Sequence, residues 1–215
     1  MDRAACLKWI RTTGVIAILR AKSSDQLLRA AEAIRSGGVR AIEVTMNTPG
    51  ALGVIEQAVK QFGDEIAFGA GTVLDPEGAR AAIQSGAQFV VSPGIKLSVI
   101  ELCRLHSIPV LPGAYTPTEI LTAWEAGADL VKVFPASVGG SGFIKDLRAP
   151  LSHIELVPVG GVNLENTADF IRAGSAAVGV GSELIDPKLL ESQDWSELAR
   201  RAKRFIEEVQ RGRAN

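Results

Sequence analysis

The sequence contains little of what most metal and disulfide sites are made from. It has two cysteines and two histidines in 215 residues. Cys6 and Cys103 show neither metal-ligand nor redox spacing, and such sparse use of cysteine is typical of a reducing cytoplasm. His106 and His153 are not spaced as ligands and are expected at surface or helix-end positions. Because no carboxylate cluster accompanies a histidine pair, we expect no catalytic metal.

The chain also lacks a charge imbalance and a long apolar run. Its formal net charge is −1, so no general basic field favours nucleic acid or an anionic membrane. No apolar stretch approaches the ~20 residues of a membrane span, and the first residues lack the apolar core of a signal peptide. These absences predict a cytoplasmic protein with neither nucleic acid nor membrane as a partner. Any anionic ligand has to be held by local groups.

Eight short apolar runs recur roughly every 20 to 26 residues, with segments of helical period between them. This alternation predicts parallel strands that each lead into a helix, and eight such α/β units close into a single (β/α)8 TIM barrel over residues 1–215. An open doubly wound sheet is disfavoured because no Gly-x-Gly-x-x-Gly motif follows the first run. The predicted strands are Val15–Leu19, Ala41–Met46, Ile66–Val73, Phe89–Pro93, Pro109–Ala114, Leu130–Pro135, Glu155–Gly161 and Ala176–Ser182.

Several helix boundaries can be predicted from single residues. Ser24 is expected to cap the helix that follows the first strand. Residues 200–215 are expected to form a closing amphipathic helix. In four segments a small residue and a glycine precede the next strand, and the glycine is expected to end the helix in the left-handed conformation. These glycines are Gly37, Gly86, Gly127 and Gly174.

Lys132 lies within a run that is otherwise mostly apolar, Asp-Leu-Val-Lys-Val-Phe-Pro at residues 129–135. The run reads as a buried strand, and burial there disfavours the ammonium form of the side chain. A partly neutral lysine is a nucleophile that can form a Schiff base with a carbonyl compound. The alternative is a packed stem whose ammonium group reaches water.

Glu43 lies in a predicted strand whose side chains alternate between two faces. Glu43 and Thr45 are expected to point into the barrel, opposite to Ile42, Val44 and Met46. The functional hypothesis is a general acid or base that serves the lysine. The structural alternative is a buried carboxylate paired with Lys132 or Arg20.

Two further polar residues lie at the ends of predicted strands, where barrel enzymes place their catalytic groups. Arg20 directly follows the first strand and is either an exposed loop cation or a clamp for a carboxylate. Thr72 offers a hydroxyl, and the glycines of its run, Gly69 and Gly71, allow close backbone approach. By itself Thr72 is weak evidence.

The last two predicted strands end in glycines. Gly160 and Gly161 end the seventh strand, and Gly181 with Ser182 ends the eighth. Barrels commonly hold a phosphate between these two loops, through backbone N–H groups and a helix N-terminus. The alternative is that the glycines only permit tight turns. The pattern favours a phosphate site.

Blocks of sequence along nearly the whole chain resemble the 2-keto-3-deoxy-6-phosphogluconate (KDPG) aldolase family, which includes the 4-hydroxy-2-oxoglutarate (KHG) aldolases. The resemblance implies a class I aldolase that uses no metal or cofactor, releases pyruvate from a small sugar-acid substrate, and assembles as a homotrimer. The blocks are Gly14–Arg20, Ile42–Thr45, Gly69–Leu74, Val91–Gly94, Leu111–Gly113, Val131–Pro135 and Gly160–Val162.

The resemblance also assigns residue roles. It implies that Lys132 forms the Schiff base with the keto carbon and that Glu43 moves protons, through a water molecule. Thr72 would bind the pyruvate end of the substrate, and Pro93 would also line the substrate site. The phosphate would be held by Gly160, Gly161, Gly181 and Ser182.

One position departs from the family pattern. Many members carry an arginine for the substrate carboxylate where this chain has Asn47, which leaves Arg20 to bind that group. The galactonate epimer or unphosphorylated 4-hydroxy-2-oxoglutarate therefore remains a candidate substrate beside KDPG. Outside the aldolases, the candidate functions are a phosphate-binding isomerase, a thiamine-phosphate-synthase-like enzyme, and a non-catalytic protein that binds sugar-acid phosphates.

Overall fold

Parallel strands and helices alternate along the chain, as the sequence predicts. The computed structural model describes residues 1–21 and 23–214. The strands in this part of the chain are β1 (Val15–Leu19), β2 (Ala41–Thr45), β3 (Ala67–Gly71), β4 (Phe89–Val91), β5 (Val110–Leu111), β6 (Gly113–Ala114), β7 (Val131–Val133), β8 (Leu156–Pro158) and β9 (Val178–Val180). The helices are α1 (Arg3–Thr13), α2 (Ser24–Ser36), α3 (Ala51–Phe62), α4 (Pro76–Gln84), α5 (Leu97–Leu105), α6 (Pro117–Glu125), α7 (Gly140–Arg148), α8 (Thr167–Arg172), α9 (Pro187–Ser192) and α10 (Trp195–Arg213).

The strands pair in parallel around a barrel. One set runs in the order β5-β4-β3-β2-β1-β9, and the other runs β6-β7-β8. A parallel bridge between Val159 and Gly179 connects the ends of β8 and β9. At the other junction, β5 and β6 are separated only by Pro112. The predicted TIM-barrel fold is thereby confirmed.

Pro112 divides the predicted strand Pro109–Ala114 into two short strands. Proline has no backbone N–H and cannot donate to a neighbouring strand. Before it, Val110 and Leu111 pair with β4, whereas Gly113 and Ala114 after it pair with β7. The other seven strands lie within their predicted limits.

Two apolar layers follow from the side-chain alternation of the strands. One fills the barrel and includes Ile16, Phe89 and Leu130. The other lies between the strands and the helices and includes Ile42 and Val44. The sequence did not reveal that the interior layer also contains Cys6, Leu7 and Ile10 of α1. This helix closes the amino-terminal end of the barrel, so the open end is the one where the strands finish.

Three predicted helix boundaries shift. Ser23, not Ser24, caps α2, and its side chain accepts a hydrogen bond from the Gln26 N–H. Gly37 has φ −77°, so the first repeat takes the left-handed conformation one residue later, at Gly38 with φ 100°. The closing helix begins at Trp195, and Asn215 lies outside the described residues. The other repeat glycines are left-handed as predicted, namely Gly86, Gly127 and Gly174.

Residues set aside in the sequence lie where expected. His106 and His153 are exposed. Both cysteines are buried and reduced, and burial raises the pKa of each thiol to about 12. Among the described helices, none is long and apolar enough to span a membrane.

A buried carboxylate secures the closed end of the barrel. Asp129, just before β7, accepts hydrogen bonds from Arg3 Nε at 3.0 Å and Nη2 at 2.6 Å. Its other oxygen accepts the Val110 N–H at 3.0 Å. The carboxylate thus connects α1 to β5, and the Val110 N–H is buried with it.

Asp129→Ala is expected to lower the free energy of unfolding by about 2 kcal/mol, because it leaves a buried N–H without an acceptor. Chemical denaturation measures this loss. Asp169→Ala is the matched control, since it removes an exposed pair with Arg172 on α8 and should cost less than about 1 kcal/mol. Equal losses in the two variants would contradict the structural role given to Asp129.

Candidate active site

Lys132 is the middle residue of β7 and projects into the barrel. Leu130, two residues earlier, belongs to the interior layer, whereas Val131 and Val133 belong to the helix-facing layer. The backbone N–H of Lys132 donates to the Pro112 carbonyl at 3.0 Å. Only 7% of the residue is exposed. The strand therefore fixes the base of the side chain and places it inside the barrel.

The Lys132 ammonium group faces an aromatic ring, and the strand neighbour of Lys132 is a glycine. Its Nζ lies 5.2 Å from the ring centroid of Phe134, a geometry in which a cation is attracted to the ring face. Gly113 pairs with Lys132 across β6 and β7. A Cβ on Gly113 would overlap the Pro93 carbonyl, so glycine lets that backbone approach β6 closely.

Glu43 projects into the barrel from β2, as predicted. Ile42 and Val44 on either side belong to the helix-facing layer. Glu43 is 3% exposed, and burial raises the pKa of its carboxyl group. The positive charges of Lys132 and Arg20 act in the opposite direction and partly offset that rise.

The Glu43 carboxyl group interacts with the two cations through space. Within residues 1–21 and 23–214, no hydrogen bond joins it to Lys132 or to Arg20. Thr45, on the same face of β2, bonds instead to the Thr48 hydroxyl at 3.2 Å. The structural alternative of a directly bonded ion pair therefore lacks the expected contact.

An anion-sized cleft opens where β8 and β9 end. Its volume is about 230 Å³, and Arg20 and Phe134 lie along it with the glycine loops. Arg20 lines this cleft and its charge also acts on Glu43, while Phe134 lines the cleft and lies against Lys132 Nζ, so the lysine, the glutamate and the cleft are neighbours. The sequence-predicted residues that line the cleft are Arg20, Gly160, Gly161, Gly181 and Ser182.

The loop after β8 is held by residues that sequence reasoning missed. Asn166 Nδ2 donates to the Gly161 carbonyl at 2.9 Å, and the Asn166 side-chain oxygen accepts the Asn163 N–H at 2.8 Å. A Cβ on Gly161 would lie 2.6 Å from the Ser137 Cβ, which leaves no room for a side chain. Two asparagines three residues apart just after a glycine pair are the signal that could have been noticed.

The remaining predicted residues lie on the other side of the barrel mouth. Asn47 and Thr72 line a separate hollow of about 290 Å³ with Met46 and Leu74. Thr72 has φ 59°, which is an uncommon conformation for a β-branched residue. In this conformation the chain turns away from the direction of β3. Pro93 is exposed after β4, and the residues lining either hollow do not include it.

The family model described as KDPG and KHG aldolase matches residues 7–201. A 2-dehydro-3-deoxy-6-phosphogalactonate aldolase of Escherichia coli K12 is 41% identical over 83% of this chain and 87% of its own.

Two solved structures also superpose closely. Native KDPGal has a TM-score of 0.88 at 38% identity and covers 94% of this chain and 96% of its own. KDPG aldolase from Legionella pneumophila, captured with pyruvate as a covalent carbinolamine intermediate, has a TM-score of 0.86 at 28% identity, covering 92% and 96%. The chain therefore belongs to the KDPG and KHG aldolase family and is an aldolase, an enzyme of the lyase class.

Proposed function

We propose that the enzyme cleaves a 2-keto-3-deoxy-6-phospho sugar acid into pyruvate and an aldehyde phosphate through a Schiff base on Lys132. The observation that carries this proposal is a buried lysine whose barrel interior also holds a buried glutamate. The likeness to a relative captured as a covalent pyruvate carbinolamine supports it. With KDPG, the aldehyde product is glyceraldehyde 3-phosphate.

The reaction begins when neutral Lys132 Nζ adds to the C2 keto carbon and forms a carbinolamine. Loss of water gives a protonated imine, which is an electron sink. The C3–C4 bond then breaks, its electron pair moves into the imine as an enamine, and the C4 hydroxyl loses its proton as the aldehyde leaves. Protonation of the enamine at C3 and hydrolysis of the imine release pyruvate and regenerate the amine.

Glu43 is proposed as the group that moves these protons, through a water molecule. As a carboxylate it accepts the C4 hydroxyl proton, and as an acid it donates to the departing carbinolamine hydroxyl. Both forms have to be accessible, so a pKa above the ordinary value suits the role. Burial raises the pKa of Glu43 in this way, while Lys132 and Arg20 limit the rise.

The two hollows suit the two ends of the substrate. The phosphate is proposed to bind in the cleft of Gly160, Gly161, Gly181 and Ser182, where N–H groups and one hydroxyl can donate. Arg20 lies along the same cleft and near Glu43, so it can contribute its charge to the anionic substrate, including the carboxylate. Thr72 and Asn47 are proposed for the pyruvate end, and Pro93 for the wall of the site.

The galactonate epimer is a second candidate substrate. It is favoured by the 41% identity with a galactonate-type aldolase, which compares with 35% for a gluconate-type aldolase of Treponema pallidum. Asn47 also distinguishes this chain from the many family members that carry an arginine for the substrate carboxylate at this position. We further propose a single domain from the regular series of α/β units, a cytoplasmic location from the sparse use of cysteine, and a homotrimeric assembly from the resemblance.

Replacement of Lys132 tests the Schiff base. Lys132→Ala and Lys132→Arg should each reduce cleavage of the phosphorylated sugar acid by on the order of 10³-fold or more, because neither can form the imine. Lys132→Arg is the matched control, since it retains a positive charge beside Glu43. Pyruvate release coupled to lactate dehydrogenase measures the rate. Turnover by Lys132→Arg within about tenfold of wild type would rule out the imine mechanism.

Replacement of Glu43 tests its protonation and its role. Because burial raises the pKa of Glu43, ionisation destabilises the folded state: the penalty is absent below the ordinary value of 4.5 and grows as pH rises through the raised pKa. Glutamine cannot ionise, so the unfolding free energy of Glu43→Gln relative to wild type should increase from about pH 4 to about pH 8. The same variant should slow turnover by about 10²–10⁴-fold.

Denaturation at a series of pH values measures the first effect, and steady-state kinetics measures the second. A stability difference that stays constant with pH, or that decreases, would show that Glu43 is not destabilised by its burial.

A direct comparison of kcat/KM identifies the substrate. We expect cleavage of KDPG or of its galactonate epimer to exceed that of unphosphorylated 4-hydroxy-2-oxoglutarate by about tenfold or more, since only the phosphorylated acids fill the glycine cleft. The higher kcat/KM of the two then shows whether KDPG or its galactonate epimer is the better substrate. Faster cleavage of the unphosphorylated compound would contradict the proposed phosphate site.

A further inference from the structure

Gly71, the last residue of β3, lies directly against the side chain of Glu43. A Cβ on Gly71 would come within 3.0 Å of the Glu43 Oε1, Cδ and Cγ atoms, closer than real Cβ atoms approach other heavy atoms. The overlap includes Cγ, so rotation of the carboxyl group about its last bond cannot relieve it. Any side chain at position 71 therefore forces Glu43 out of its present position.

The backbone does not require glycine at this position. Gly71 lies in a regular parallel strand, where its φ is not positive and its carbonyl accepts the Met46 N–H at 2.8 Å. Its in-register partner is Thr45, whereas the partner of Glu43 is Gly69. The Glu43 side chain thus extends from its own level of the barrel toward the open end, into the space that Gly71 leaves.

We propose that Gly71 is a positioning residue for Glu43. Its missing side chain lets the carboxyl group lie toward the open end of the barrel, within the electrostatic influence of Lys132 and Arg20. A displaced Glu43 would lose part of that influence, and its distance to the imine would change. This inference rests on the proposed proton-transfer role of Glu43, although its steric part does not depend on that role.

Gly71→Ala tests the effect on catalysis. The expected result is a fall in kcat of about 10²-fold, because a shift of roughly 1 Å at a reacting group costs that much, with KM changed less than about threefold. The pH profile of kcat should shift, since Lys132 and Arg20 act less strongly on the displaced carboxyl. Borohydride trapping of pyruvate on Lys132 should persist, because the amine itself is undisturbed.

Gly69→Ala is the matched control on the same strand. The three atoms nearest to its Cβ would all belong to the Phe89 ring, so this variant measures the effect of overpacking against an apolar neighbour. It should lower the melting temperature without shifting the pH profile. A wild-type kcat and pH profile in Gly71→Ala, or an equal pH shift in Gly69→Ala, would overturn the proposal.

A double-variant cycle isolates the steric part and covers the case in which Gly71→Ala folds poorly. Glu43→Ala removes Cγ and the carboxyl group, so adding Gly71→Ala to it should cost no further stability. In the wild-type background the same change should lower the melting temperature, or prevent folding. Equal losses in both backgrounds would contradict the inference. Absence of a pyruvate adduct in the wild type would instead refute the proposed function. The stability cycle would then still test whether a side chain at position 71 and the Glu43 side chain compete for the same space.

Discussion

The structure depends on keeping two opposite charges inside an apolar barrel. Lys132 and Glu43 are both nearly excluded from water, and the positive charge of Lys132 partly offsets the cost of ionising Glu43. Removal of water also makes their interaction stronger than it would be at the surface. Burial also raises the pKa of the Glu43 carboxyl group and so makes its carboxylate a stronger base.

The strands beside the two charged residues carry glycine. Gly71 on β3 leaves space for the Glu43 side chain, while Gly113 on β6 lets the Pro93 backbone approach the level of Lys132. Helix α1 and the Arg3–Asp129 contact close the opposite end of the barrel. The open end of the barrel is therefore the one where the glycine loops after β8 and β9 line a cleft.

Much of this arrangement could be predicted from the sequence, because it depends on local rules. The period of two along β2 placed Glu43 and Thr45 inside, and the apolar run around Lys132 indicated a buried strand. The rest depends on contacts between distant residues. Side-chain alternation gives the face of a strand but not the distance between side chains, so neither the fit of Glu43 against Gly71 nor the closure of the barrel by α1 could be read in advance.

Some local predictions also failed, because the local sequence allowed more than one choice or because a single residue interrupted the pattern. The left-handed residue after α2 is Gly38 and not Gly37, since either glycine of the pair can adopt that conformation and the packing decides. Ser23 and Ser24 are equally good caps, and the helix begins so that Ser23 is used. Pro112 interrupts a strand that its apolar neighbours would otherwise continue.

The proposed mechanism requires that a buried lysine carries the substrate as an imine. The most direct test is peptide mass spectrometry of the wild-type protein after incubation with pyruvate and borohydride. We expect one reduced pyruvate adduct, located on Lys132 and blocked in Lys132→Arg. A folded, concentrated sample that gains no adduct, or gains it on another lysine, would contradict this mechanism.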